Sequence, residues 1–273
     1  MAAQPSIPEI IALLLCIGGM GGFLSGMLGV GGGILFVPAL YFSMSALGLD
    51  SQHAMHLAVG TSLAIVFATG SVSAFGHHKR GAVDVALMKS WGMYIVGGVV
   101  IGSFFATAVN GDVLKRIFAG VTLLLSFYMA FGMKKPAANA KNFLTAKIQH
   151  GLCVGIGMVS SMIGVGGAIL TVPMMSYIGT PMTRAMGTGA ALGMLISLPG
   201  TISYMLGGLP HLAELPPYSI GYVNVLAVAL IIPASMFMAP IGVKTSHSLP
   251  HAMLRRVFAA VMLIVSIRMF MTL

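Results

Sequence analysis

Long apolar runs separated by short polar connections make up almost the whole chain. The runs are about 15–25 residues long, the length that enters or crosses a bilayer core. They are continuous and do not alternate with period two, which excludes a membrane β-barrel. The pattern predicts ten helical segments in chain order. The first five are Ile7–Leu28, a short Ile34–Gly48, His53–Gly76, Val83–Val109 and Val113–Met133. The next five are Ile148–Ile163, a short Ile169–Ile178, Arg184–Leu206, Tyr218–Val243 and Leu254–Leu273. Lys134–Lys147 is the longest polar connection, and Gly207–Pro217 is a proline-rich loop without Lys or Arg.

A duplication underlies the pattern. Gly22–Pro38, GFLSGMLGVGGGILFVP, returns as Gly157–Pro173, GMVSSMIGVGGAILTVP, at an offset of 135. Ala58–Ser62 returns as Ala185–Gly189 at offset 127, and Leu114–Gly120 as Leu254–Ala260 at offset 140. Three blocks in the same order predict two homologous halves of five segments each, residues 1–140 and 141–273, joined by a connection at about 134–147. In each half a glycine break, Gly29–Gly33 or Gly164–Ala168, opens a short segment. A discontinuous membrane helix reads this way, since irregular backbone at membrane depth is tolerated where protein or a cavity surrounds it.

Composition sharpens the class. Of 273 residues, 58% are hydrophobic and 7% charged. A soluble domain carries roughly 25% charged residues. The fold class expected is therefore an all-α integral membrane protein with 8–10 transmembrane helices. If all ten segments cross, eleven Lys and Arg residues fall on one side and three on the other. That asymmetry fits the positive-inside rule and makes the halves inverted, with both termini outside. If the two short segments only dip in and return, the split is eight against six. The net charge of +9 resides in these short loops. It reads as topology and lipid contact, not as a nucleic-acid surface. The N-terminal MAAQPSIPEI lacks Lys and Arg and carries Glu9, so the first segment reads as a retained helix. Leu15 before Cys16 argues against lipoprotein processing, and Cys16 and Cys153 read as buried small hydrophobes.

The five acidic residues, Glu9, Asp50, Asp84, Asp112 and Glu214, map to loops or helix ends. A carboxylate proton relay, a cation pathway and paired-carboxylate catalysis are all disfavoured. The glycine breaks offer what an anion needs: helix N-termini with unpaired N–H groups and a positive dipole end. Candidate substrate contacts are Ser25, Gly29, Gly31, Gly32 and Gly33 in the first half, with Thr61 and Ser62 near the start of the third segment. Their counterparts are Ser160, Ser161, Gly164, Gly166, Gly167 and Thr188. Close helix packing is the competing reason for small residues here. His53, His56 and Arg184 are further candidates for proton or anion contact. GMLGVGGG lacks the Lys-Ser/Thr ending of a phosphate loop. His77–His78 reads as a solvated loop, the 23 methionines as packing and Asn224 as an interhelical hydrogen-bonding amide deep in an apolar run. No metal and no cofactor is expected.

LSGMLGVGGGILFVPAL, AVGTS and their second copies VSSMIGVGGAILTVPMM and AMGTG resemble the sulfite exporter TauE/SafE family, also called toluene-sulfonate uptake permeases. The resemblance covers nearly the whole chain. It implies a duplicated bacterial inner-membrane permease, usually counted at seven or eight spans, that moves sulfite, sulfonates or other organosulfur anions. Ser161 stands where the motif has glycine, and Ala168 replaces the last glycine of the first copy, so the second loop is expected to be less open than the first. The function expected is secondary transport of a small anion by alternating access. A permease for another ion, a metal or a carboxylate, and a non-transport membrane enzyme or assembly factor are the alternatives. The expected partners are the anion and membrane lipids, with a homo-oligomer left open.

Overall fold

The computed structural model describes residues 7–28, 32–46, 48–49, 51–132, 146–248 and 251–272. Gly29, Gly31, Asp50 and most of the central polar connection lie outside them. Among the described residues there are ten α-helices. The first half contains α1 (Ile7–Leu28), α2 (Gly33–Ala46), α3 (Ser51–Lys79), α4 (Val85–Ala108) and α5 (Gly111–Phe127). The second contains α6 (Ala146–Ile163), α7 (Ala168–Tyr177), α8 (Met182–Gly207), α9 (Val225–Ser248) and α10 (His251–Met271).

The exterior is apolar, and the interior combines an apolar core with buried hydroxyls. Phe237, Met93 and Leu124 are 76%, 75% and 72% exposed, while Ser62, Ser160, Thr171, Thr188 and Ser197 are fully buried. A hydrocarbon solvent produces this arrangement, because apolar side chains face lipid at no cost and hydroxyls must turn inward. Among the described residues, six helices are both long and apolar enough to cross: Pro8–Gly26, Gln52–Lys79, Val85–Ala108, Gly111–Phe131, Thr183–Gly207 and Val225–Gly242. α2 and α7, with 14 and 10 residues, are shorter. At about 1.5 Å per residue they cannot span a core of about 30 Å alone. Cys153 is buried, but Cys16 is exposed on α1, contrary to the expectation for it.

The helices pack in pairs: α1 on α9, α4 on α6, α3 on α8 and α5 on α10. α2 lies on α3, and α7 on α8. Close approach depends on glycine. Gly22 and Gly26 of α1 abut the backbones of Ser235 and Ala239, and Gly98 of α4 and Gly157 of α6 abut those of Val154 and Ile95. A side chain at any of them would meet main chain, so these faces are built for contact at backbone distance.

The fifth and ninth helices depart furthest from the pattern-based boundaries. The fifth helix begins at Gly111, and its α form ends at Phe127, continuing as a π-helical turn over Tyr128–Gly132. The ninth begins at Val225, not Tyr218. Residues before it form a 3₁₀ turn, Leu209–Glu214, then a two-stranded hairpin of β1 (Ser219–Ile220) and β2 (Val223–Asn224). Gly221 supplies a positive φ of 54° at the turn. Asn224 is thus not deep in an apolar run. It caps α9, its Oδ1 accepting from Ala227 N at 2.9 Å. Apolar composition alone does not separate a buried hairpin from the first turns of a helix.

Candidate functional site

The two glycine breaks meet in the middle of the fold. A Cβ on Gly33 would lie 2.6 Å from Gly164 O and 2.9 Å from Val165 Cα. Ser62, on α3, donates its hydroxyl to Gly164 O at 2.9 Å. The local backbone is the same on both sides. Gly32 and Gly167 take φ of 72° and 65°, where a side chain is strained. Gly32 O accepts from Leu35 N and Phe36 N at 3.0 and 3.2 Å, and Gly167 O accepts from Leu170 N and Thr171 N at 3.0 and 2.9 Å. Each glycine therefore starts a short helix; at the second break Gly167 N and Ala168 N are themselves bonded, donating to Val165 O and Gly166 O at 2.8 and 2.7 Å.

The surroundings of the two breaks differ. In the first, the Phe36 ring packs on Gly32, one ring carbon lying 2.7 Å from where a Cβ would stand. The equivalent position in the second copy is Thr171. Ser160 Oγ and Thr171 Oγ1 are buried with no hydrogen-bond partner among the described residues. Ser160 Oγ lies 3.6 Å from a Cβ built on Gly167, and Ser197 Oγ 3.9 Å from one built on Gly166. Ser197 Oγ donates to Gly193 O at 2.8 Å, which leaves Ser160 and Thr171 as the uncommitted buried hydroxyls beside the second break among the described residues. Thr171 and Ser197 were not among the candidates. The signal for Thr171 was a hydroxyl in ILTVP where the first copy has the phenyl ring of ILFVP.

Several candidates are committed elsewhere. Thr61 Oγ1 accepts from Asn224 N at 3.0 Å, and Thr188 Oγ1 accepts from Asp84 N at 2.9 Å. Both tie the third helix of one half to the cap of the fourth helix of the other. Ser161 Oγ donates to Met158 O at 2.9 Å. Ser25 is half-buried beside Gly32, and Arg184 is exposed near the start of α8. His56 has both ring nitrogens against main-chain carbonyls: Nδ1 at 2.9 Å from Gln52 O, and Nε2 at 2.9 and 3.1 Å from Ala106 O and Val109 O. It satisfies the carbonyl end of α4 and is not turned toward the glycine breaks.

His53 belongs to a second polar cluster. Its Nε2 lies 2.8 Å from Glu214 Oε2, and its Nδ1 3.3 Å from Tyr222 OH. His211 Nδ1 lies 3.8 Å from Glu214 Oε1. The hydrogen bond from His53 holds the Glu214 carboxyl below its ordinary range. Burial, and then the Glu214 charge, push the Tyr222 phenol up.

An apolar exterior, a hydroxyl-rich interior and ten helices around two broken segments define a multi-pass integral membrane protein. The chain belongs to the sulfite exporter TauE/SafE family, whose model matches residues 14–269. A probable membrane transporter protein of Haemophilus influenzae is 31% identical over 261 residues, covering 96% of this chain and 98% of that one. One from Methanocaldococcus jannaschii is 26% identical, covering 93% and 92%. A third, from Bacillus subtilis, is 24% identical, covering 87% and 89%. The protein is a membrane transporter and not an enzyme. No solved structure matches the chain.

Proposed function

We propose that the protein is a secondary transporter of a small oxyanion, sulfite or a sulfonate, working by alternating access between its two halves in the bacterial inner membrane. The observation that carries the reading is the meeting of the two breaks at Gly33 and Gly164, with unpartnered Ser160 and Thr171 hydroxyls beside the second. A buried hydroxyl without a partner costs about 1–3 kcal/mol; Ser103 and Ser235 share that state, and what sets Ser160 and Thr171 apart is their place beside the second break. Hydroxyl and amide donors without a fixed cation suit a delocalised negative charge: they replace hydration and still let the anion leave. The family description points to the same substrate class. The paired packing supports two equivalent halves, since exchanging each helix for the one five places later maps α1·α9 onto α6·α4, and α2·α3 onto α7·α8. The sequence has no Lys-Ser/Thr phosphate-loop ending after its glycines, so the energy comes from a gradient or from a partner.

The test is sulfite and alkylsulfonate flux into proteoliposomes, with chloride and Zn²⁺ as controls. The reading expects saturable sulfonate or sulfite flux that Ser160→Ala together with Thr171→Val reduces at least tenfold. Flux equal to that of empty liposomes for every anion overturns it.

A further inference from the structure

The cluster at the start of α3 has the composition of a metal site. We infer that His53, His211 and Glu214 together bind a borderline divalent transition-metal ion of the Zn²⁺ kind. Their ligand atoms, two imidazole nitrogens and one carboxylate oxygen, all lie within 4.8 Å of one another. Four ligands about a tetrahedral ion at 2.0–2.2 Å stand roughly 3.3–3.6 Å apart. His53 Nε2 lies 2.8 Å from Glu214 Oε2 and His211 Nδ1 3.8 Å from Glu214 Oε1, so the two imidazoles approach the two oxygens of one carboxylate. Closing the widest gap requires movement only of the exposed Glu214 and the half-exposed His211, because His53 is 4% exposed and fixed.

Each element contributes for a local reason. Residues three apart eclipse on a 3₁₀ turn, so Leu209–Glu214 presents His211 and Glu214 on one side. The His53 ring is oriented from behind, with Tyr222 OH on Nδ1, which leaves Nε2 as the ligand atom. An oriented second nitrogen is the usual arrangement behind a metal-binding histidine. The His211 ring lies 4.9 Å from the His53 ring, tilted by 39°. Two imidazoles with one carboxylate select Zn²⁺, Co²⁺, Ni²⁺ or Cu²⁺ over Mg²⁺ and Ca²⁺, which take oxygen ligands. The loop 207–217 has no Lys or Arg to repel a cation, although the whole chain is strongly basic. Three protein ligands leave a fourth position for water. Bound metal would fasten the connection between α8 and α9 to the first turn of α3, away from the glycine breaks. The inference does not depend on what the transporter carries.

The experiment uses the full chain, tag-free in detergent and stripped with a chelator. ZnCl₂ is titrated by calorimetry and thermal unfolding, and CoCl₂ by visible absorption. The inference expects one Zn²⁺ per chain, a raised Tm and tetrahedral Co²⁺ bands. His211→Ala and Glu214→Gln, both on the exposed turn, are expected to weaken binding at least tenfold. His78→Ala is expected to leave binding unchanged, since it removes an exposed histidine at the far end of α3 from His53. Absence of saturable Zn²⁺ binding, or binding that survives in both His211→Ala and Glu214→Gln, overturns the site and leaves a His–Glu ion pair.

Discussion

Thr61 and Asn224 are joined across 163 residues by a hydrogen bond of 3.0 Å in which the threonine oxygen accepts the asparagine's main-chain proton. The bond recurs between Thr188 and Asp84 at 2.9 Å. Asn224 and Asp84 in turn cap α9 and α4, accepting from Ala227 N at 2.9 Å and Leu87 N at 3.0 Å. One hydroxyl thus satisfies the amide of a residue whose own side chain starts a helix. The two halves are cross-stitched at both places.

Thr61→Val is expected to lower stability by about 1–3 kcal/mol, the cost of stranding the buried Asn224 amide, and Thr188→Val by less, since Asp84 is only partly buried. Thr→Ser at either position should restore most of the loss. Thermal unfolding in detergent checks this. Unchanged unfolding in both valine variants would remove the stitching role.

Ser160→Ala and Thr171→Val should separate stability from transport. Neither hydroxyl has a partner, so their removal leaves unfolding unchanged or raises stability by about 1 kcal/mol. Flux should fall all the same. A loss of stability equal to the loss of flux would make the hydroxyls structural.

Gly33→Leu should abolish flux while leaving insertion intact, because its side chain would drive Gly164 and Val165 away. Gly167→Ala should also be costly, combining a φ of 65° with overlap onto Ile196. Gly76→Ala is the control: nothing lies within 4 Å of the added carbon. In a helix it should be neutral or stabilising by up to about 1 kcal/mol. Proteoliposome flux and detergent melting of the three variants read these outcomes.

With a chelator present, the Glu214 contact should leave an acid-side signature. The pKa of Glu214 is lowered in the folded protein from an ordinary value of 4.5, chiefly by the hydrogen bond from His53. A depressed carboxyl contributes stability above its unfolded pKa, and that contribution disappears as pH falls through the folded value. Melting of the wild type should therefore drop below about pH 4.5 more steeply than that of Glu214→Gln, which lacks the titrating group. Parallel pH profiles would show the contact to be energetically silent.

The membrane class, the ten segments and both glycine breaks are legible in the amino-acid order, because each rests on local chemistry. An apolar run long enough to enter lipid, or a glycine needed at positive φ, announces itself without knowledge of its neighbours. Gly32 and Gly167 are readable in that way, and so is the helix that starts at each. Partnership is a different matter. Thr61 and Thr188 look like ligand contacts in isolation, yet the fold turns them to Asn224 and Asp84. Ser160 and Thr171 are left uncommitted only because nothing polar packs against them, while Phe36 closes over the other break. His53 meets His211 and Glu214 because a 3₁₀ turn folds back onto the start of α3. A hydroxyl or an imidazole carries the same bonding capacity wherever it stands in the chain. Which atom spends that capacity is settled by groups more than a hundred residues away, once burial has removed the water that would otherwise serve every one of them alike.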